Sequence, residues 1–216
     1  MVPGRAFLQS VRILTIGLKK PHYKRRMTQQ AKLDLMVWLE FLNYHNGVTL
    51  YKHQLFLSPG VVNIHTDACI NIGLGAVLGK HWFACQWPTE WWRQQNITLL
   101  EFIPIVLAVV TWKSILRDKV VIFHTDNLSL VSIINKQHSN EDLVRSVLRG
   151  FVLSLLKFNI KANAIHISGK ENSKADALSR DFITQFRLLH PLALKEPSET
   201  PALPPYLEST GTWTPY

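Results

Sequence analysis

Apolar and polar positions divide the chain into helical stretches at its start and a strand-rich middle. Residues 7–18 hold an apolar stretch that predicts a short helix. Across residues 28–46, Leu33, Leu35, Met36, Trp38, Leu39, Phe41 and Leu42 make a broad apolar face, which predicts a longer helix stopped by Asn46-Gly47. From Val61 the period changes. The run VVNIHTDAC predicts a strand, the glycines of NIGLGAVLG a turn into a second, and HWFACQW a third stopped by Pro88. Three strands so close together imply an antiparallel meander. Residues 99–116 predict a long apolar helix. Within it Pro104 cannot donate to the Leu100 carbonyl, so the helix is expected to kink there or to be regular only from that point. VVIFHTDN predicts a fourth strand buried on both faces, and NLSLVSIIN a short helix. Residues 142–158 predict a longer helix, IKANAIHIS a fifth strand and residues 173–180 a last helix. The order βββαβααβα predicts an α/β domain with a mixed sheet flanked by helices.

Composition adds limits. With 47% of its 216 residues apolar and 18% charged, the chain can bury a sizeable core. Two cysteines exclude a disulfide scaffold and a four-thiolate zinc site, and Cys69 and Cys85 are expected as a reduced, buried pair on neighbouring strands. Trp82, Trp87, Trp91 and Trp92 surround an apolar hairpin and are expected in packing rather than in base stacking. No run reaches the roughly 18 uninterrupted apolar residues of a membrane span. VRILTIGL is followed by a basic cluster rather than a cleavage site, so a secretory signal is not expected.

The net charge of +9 is uneven. Residues 1–60 carry +7, gathered around Lys19, Lys20, Lys24, Arg25 and Arg26; residues 61–190 carry +4 and residues 191–216 carry −2. An excess of this sign suits nucleic acid or an anionic surface, although a solvated loop accounts for the cluster as readily. Six of the eleven prolines fall in the last 26 residues, whose composition suits a disordered tail. Three segments follow: a basic helical segment (1–60), the α/β domain (61–190) and a Pro-rich tail (191–216).

Four carboxylates stand out. Asp67 and Asp126 each close a His-Thr-Asp after an apolar strand, Glu101 lies in the apolar opening of the long helix, and Asp176 lies in KADALSR. Each has a bland explanation: Thr98-x-x-Glu101 matches a capping box, Asp126-Asn127 can cap a helix, and Asp176 can face solvent. Together they suggest more. If the first and fourth strands lie side by side, Asp67 and Asp126 converge at one sheet end, with Glu101 and Asp176 reaching in from helices. Carboxylates that close repel one another unless cations neutralise them, and oxygen ligands with open positions suit Mg²⁺ or Mn²⁺. His65 and His124 lie on the same strand faces as the aspartates two residues on, where contact with those ligands is open to them.

The D-E-D-D order on strand, helix, strand and terminal helix resembles the ribonuclease H domain of retroelement reverse transcriptases. HISGKENSKADALSR is its most specific piece, matching H-I-x-G-x-x-N-x-x-A-D-x-L-S-R. WPTEWWRQQNITLLEFIPIVLAV with HTDNLSLVSIINKQHS looks closest to the DIRS-type, tyrosine-recombinase retrotransposons. Residues 2–47 are similar to the connection that precedes this domain in those elements, so the resemblance covers about residues 1–190.

It implies a ribonuclease H-like fold, a five-stranded mixed sheet with an N-terminal helical extension. It also implies hydrolysis of the RNA strand of RNA–DNA hybrids with two Mg²⁺ or Mn²⁺ ions. Asp67 would bridge both metals, Glu101 and Asp126 would complete one site, and Asp176 would hold the second. Gly73, Gly75 and Asn127 stand where the family contacts the hybrid. Recognition of a hybrid works through shape and the 2′-hydroxyl.

The chain also departs from the family. Its loop GKENSK lacks the histidine of cellular members, and His166, at the strand, is expected to be structural or to touch the metal's ligands rather than the metal. KQHSNED replaces a basic protrusion, leaving the N-terminal cluster as the expected binding handle. No polymerase motif such as Y-x-D-D occurs, so the chain is expected to be part or remnant of a longer polyprotein with a polymerase domain as partner. Two other readings compete. One is an integrase-like nuclease, disfavoured by the early helix glutamate; the other is a retired domain that binds nucleic acid, or supports a polymerase, without cutting.

Overall fold

The computed structural model describes residues 3–20, 22–43, 61–93 and 96–203. A 3₁₀ turn at Pro3–Phe7 leads into α1 (Gln9–Thr15), and α2 spans Gln29–Asn43. The expected stop at Asn46-Gly47 lies outside the described residues. The sheet strands are β1 (Val62–Cys69), β2 (Gly73–Leu78) and β3 (His81–Gln86), followed by a 3₁₀ turn at Thr89–Arg93. Then come α3 (Ile97–Thr111), α4 (Lys113–Leu116), β4 (Val120–Thr125), α5 (Leu128–Lys136), α6 (Asp142–Lys157), β5 (Lys161–His166), α7 (Ser173–Ser179) and α8 (Ile183–Leu189).

The five strands form one mixed sheet in the order β3-β2-β1-β4-β5. The meander β1-β2-β3 is antiparallel, while β4 runs parallel to both β1 and β5. Helices cover both faces, and the strand order with its antiparallel meander and parallel β4 and β5 is that of the expected ribonuclease H-like fold. On one face α3 and α6 bury Ile64, Leu74, Phe123 and Ala162, with Phe151 edge-on to Phe102 and Phe123. Because α3 is enclosed by sheet and helix, Leu99 through Val109 are all buried, which explains a helix apolar on every side. On the other face Val77 and Trp82 pack against Leu178 of α7 and Phe186 of α8.

Several expectations need correction. β4 is not buried on both faces: Val121, Phe123 and Thr125 are buried while Val120, Ile122 and His124 are only half-buried, because α7 and α8 cover the meander instead. The helix through Pro104 is continuous from Ile97, so regular structure does not wait for the proline; the break falls at Trp112, where α4 begins. Cys69 and Cys85 are free thiols, but they are half-buried rather than buried, and β2 separates their strands. Of the four tryptophans, Trp82, Trp87 and Trp91 are core residues and Trp92 is half-exposed.

The C-terminal Pro-rich segment is not wholly a free tail. Helix α8, which the apolar pattern did not signal, turns the chain back so that residues 191–203 run along the outer edge of β3. There the Leu194 and Ser198 amides donate to the Lys80 and Trp82 carbonyls at 2.9 and 2.7 Å. Trp82 Nε1 donates to the Leu194 carbonyl at 2.7 Å, and Trp112 Nε1 to the Ser198 hydroxyl at 2.9 Å. At the opposite edge the Asn135 side chain brackets Ala164, donating to its carbonyl at 2.8 Å and accepting from its amide at 2.9 Å. Both covers blunt edges that would otherwise offer unpaired backbone groups to another chain.

The N-terminal extension belongs to the same packed body. Ala6 and Phe7 join the main core, and Gly4 admits the Trp38 ring where any side chain would collide. The broad apolar face expected to bury α2 does not do so: Leu35, Met36, Leu39 and Leu42 are exposed, and the buried residues are Ala31 and Asp34. Asp34 accepts from Arg149 of α6 at 2.8 Å and from the Ser10 hydroxyl. An enclosed ion pair, with Trp38 and Phe41 beside it, thus sets which side of α2 faces inward. Removing one partner strands the other charge. Asp34→Ala should therefore lower the unfolding free energy in urea by about 3–5 kcal/mol, and the pair Asp34→Leu/Arg149→Met should recover much of that loss. A single-variant loss below about 1 kcal/mol, the range of exposed pairs, would contradict this arrangement.

Candidate metal centre

The register of β1 against β4 accounts for the repeated His-Thr-Asp. His65 pairs with His124 across the parallel ladder, so Asp67 and Asp126 leave the sheet side by side two residues later. Asp67 is buried and Asp126 exposed. Glu101 comes from the second turn of α3 and is only 4% exposed. The capping-box reading of Glu101 fails, because the helix begins earlier: Asn96 is the N-cap and accepts from the Leu99 amide at 3.1 Å. Glu101 instead accepts a hydrogen bond from the Ala68 amide, while its Oε2 is buried without a partner among the described residues. One carboxylate oxygen from each of Asp67, Glu101 and Asp126 lies within 4.8 Å of the others.

Asp176, in the first turn of α7, lines the same cleft of about 520 Å³ but is turned toward Arg180, whose Nε donates to it at 2.7 Å. The four predicted acids thus share one cleft; three converge and the fourth stands at its rim in an ion pair. Gly75 makes the placement of α7 possible. It pairs with Asp67 across the β1–β2 ladder, and a side chain there would collide with Leu178 and the Ser179 backbone. Gly73 is closed off similarly by the Cys85 carbonyl. Both glycines are buried, and their missing side chains make room for protein.

Asn127 caps α5, accepting from the Leu130 amide at 3.0 Å, and also lines the cleft. His65 and His124 do not reach the carboxylates. They stack on each other with centroids 4.4 Å apart, and His124 Nε2 meets Asn63 Oδ1 at 2.9 Å. Burial, with His124 nearby, lowers the His65 pKa to about 4. His166 is exposed beside Glu171 and lies outside the cleft, so the structure gives it no contact with the acids. Lys19, Lys20, Lys24, Arg25 and Arg26 are exposed between α1 and α2 and do not line the cleft either.

Sequence reasoning missed three residues. The Ser179 hydroxyl hydrogen-bonds Asp67 Oδ2, and Asn172 Nδ2 donates to the Thr66 carbonyl at 2.9 Å and more distantly to Asp67 Oδ1 at 3.5 Å. Both are buried, so α7 and the loop before it fix the Asp67 carboxylate from behind. Arg180 is the third. All three are letters of the ADALSR-containing motif, and Ser179 and Arg180 stand three and four residues after Asp176, on one helical face. That spacing was the available signal.

The electrostatics favour a cation. Burial, then the Asp67 and Asp126 charges, push the Glu101 pKa up to about 9. Burial raises Asp67 to about 6, with Asp126 and Asp176 adding to the shift against the Ser179 hydrogen bond. An orphaned, buried carboxylate oxygen among converging acids fits a hard divalent ion, which would relieve both the desolvation and the repulsion. Among the described residues, no helix is long and apolar enough to cross a membrane.

Comparison with solved structures finds similar folds at low identity. Ribonuclease H1 from the halophilic archaeon Halobacterium salinarum NRC-1 aligns at 17% identity with a TM-score of 0.43, over 58% of this chain and 98% of that one. LC11-RNase H1 in complex with an RNA/DNA hybrid aligns at 14% identity and a TM-score of 0.47, over 57% and 98%. The structure of LC11-RNase H1 isolated from compost by a metagenomic approach aligns at 15% and 0.45, over 57% and 96%. No protein-family model and no curated protein matches the chain.

The raised carboxyl pKa values have a consequence for stability. Below about pH 4 folded and unfolded chains both hold these protons. As pH rises, the unfolded carboxyls ionise first, so folding is progressively opposed until pH passes about 6 for Asp67 and about 9 for Glu101. In chelator, the stability of the unsubstituted chain relative to Glu101→Gln should therefore fall between pH 5 and 9, by at most about 1.4 kcal/mol per pH unit, and Mg²⁺ should reverse the trend. A difference that is flat, or that grows with pH, in chelator would contradict the burial of Glu101.

Proposed function

We propose that this chain is a divalent-metal-dependent endonuclease of the ribonuclease H type, cutting the RNA strand of RNA–DNA hybrids as part or remnant of a retroelement reverse transcriptase. The observation that carries the reading is Glu101 Oε2, buried without a partner where the Asp67 and Asp126 carboxylates converge. In this reading Asp67, Glu101 and Asp126 would hold Mg²⁺ or Mn²⁺, and Asp176, on the rim of the same cleft, would add a ligand for a second such ion. Ions so held would activate a water and stabilise the leaving oxygen of a phosphodiester.

The protein's own groups have separate tasks. Ser179 and Asn172 hold Asp67 in place, so that a ligand common to both ions does not have to be ordered on binding. The N-termini of α3 and α5, represented by Ile97, Thr98, Leu128 and Ser129, line the cleft. Their positive dipole ends suit an incoming phosphate backbone. Asn127 keeps its side-chain carbonyl on the α5 cap, leaving its amide group for the substrate. The five N-terminal cations supply attraction at a distance from the cleft. The retroelement origin, the connection role of residues 1–60 and a polymerase partner rest on the resemblance of HISGKENSKADALSR and the preceding segments.

The test is cleavage of a labelled RNA–DNA hybrid in Mg²⁺, with single- and double-stranded DNA as controls. The unsubstituted chain should cut only the RNA of the hybrid. Asp126→Asn should lose more than the roughly 10–100-fold typical of changes behind a metal's ligands. Neutralising Lys19, Lys20, Lys24, Arg25 and Arg26 should flatten the salt dependence of hybrid binding while the cutting site stays the same. Hybrid binding without cleavage would favour the retired-domain reading, and cleavage of DNA alone would overturn both.

A further inference from the structure

The cleft that gathers four carboxylates also holds Arg180, the sole cationic side chain among its described lining residues. A phosphodiester entering that cleft meets strong negative charge, and metal ions that neutralise the acids still leave its outer oxygens to be placed. Arg180 stands at the end of α7, with its Nε on Asp176 Oδ1 at 2.7 Å and its side chain 46% exposed. Its terminal amino groups make no hydrogen bond among the described residues, so the planar fork that matches phosphate in a bidentate manner is open. A surface ion pair of this kind is worth about 0.2–1 kcal/mol, weak enough to be exchanged for a new partner. A cation at a helix C-terminus is also favourable in itself, so the bland alternative is that Arg180 merely stabilises α7.

We infer that Arg180 is a substrate-contacting residue, paired with Asp176 in the protein without ligands and transferred to a backbone phosphate of the nucleic acid when a metal ion takes Asp176. The inference rests on the hydrolase reading above. It makes Arg180 a built-in counter-ion: it competes with the second cation for Asp176 and assists the substrate. Those two effects have opposite signs on substitution, which a purely structural role does not produce. A residue that only anchored Asp176 would, on removal, weaken metal binding and leave the salt dependence of nucleic-acid binding alone.

Two measurements decide it, each on the full chain. Calorimetric titration with Mn²⁺ in the absence of nucleic acid compares the unsubstituted chain with Arg180→Ala. Removing the competitor should tighten metal binding about 1.5–5-fold, the factor equivalent to a surface ion pair. Hybrid binding in Mg²⁺ over a series of KCl concentrations compares Asp126→Asn with Asp126→Asn/Arg180→Ala, so that cutting does not deplete the probe. The second substitution should weaken binding and reduce the slope of log K against log salt by about 0.7–0.9, one phosphate contact. Arg180→Lys in the same background should restore the slope and only part of the affinity. An unchanged slope, or metal binding weakened by Arg180→Ala, overturns the inference while leaving the hydrolase reading intact. Failure of the Asp126→Asn chain to bind the hybrid at all overturns both.

Discussion

The enclosure of Glu101 beside Asp67 and Asp126 is the interaction from which most of this fold takes its meaning. A carboxylate buried with one oxygen unpaired and two like charges within reach is among the least favourable arrangements a protein core can hold. Nothing in packing α3 against the sheet requires an acid at that position, since its neighbours Leu99, Leu100, Phe102 and Ile103 are apolar and fully buried. The structure therefore carries a destabilising group where an apolar one would fit. Such a group is readily understood as one that a cation completes.

The architecture converts that local chemistry into a site. Parallel pairing of β1 with β4 delivers two aspartates to one sheet end, in a register fixed by the facing pairs Val62–Val121 and Ile64–Phe123. The antiparallel meander on the other side provides a surface on which α7 lies close, because Gly75 gives way to Leu178 and Ser179. That close approach lets Ser179 hold Asp67 and brings Asp176 and Arg180 to the rim. Helix α6 packs beside α3 on the same face of the sheet, and Asp34 and Arg149 lock the N-terminal extension to it. The edges of the sheet are covered by residues 191–203 and by Asn135.

Much of this was legible in the residue pattern, for identifiable reasons. Strands bounded by Asn-Ile-Gly and Pro88, and a helix capped by Asn127, follow from local turn and cap chemistry that acts over a few residues. Asp67, Glu101 and Asp126 stood out because each interrupts or ends an apolar run, and Asp176 because of the KADALSR segment around it. What the pattern misjudged depended on distant partners. The apolar residues of α2 look like a core face until Arg149, 115 positions away, draws Asp34 inward. Gly73 and Gly75 read locally as a turn into the second strand, and nothing local shows that the Cys85 backbone and Leu178 take up the space their missing side chains leave. Helix α8 and the strap along β3 depend on Trp82 and Trp112 finding carbonyl and hydroxyl partners late in a Pro-rich segment. His166 drew attention by residue type, whereas Ser179 and Asn172, less conspicuous in the sequence, are the ones that touch Asp67.

The most direct test of the central claim is to crystallise the chain with Mn²⁺ and compute an anomalous difference map at a wavelength that identifies the ion. The account predicts a strong peak bounded by carboxylate oxygens of Asp67, Glu101 and Asp126, with Glu101 Oε2 among its ligands. A map with no peak in the cleft, with Glu101 still buried and its Oε2 still without a partner, would contradict it.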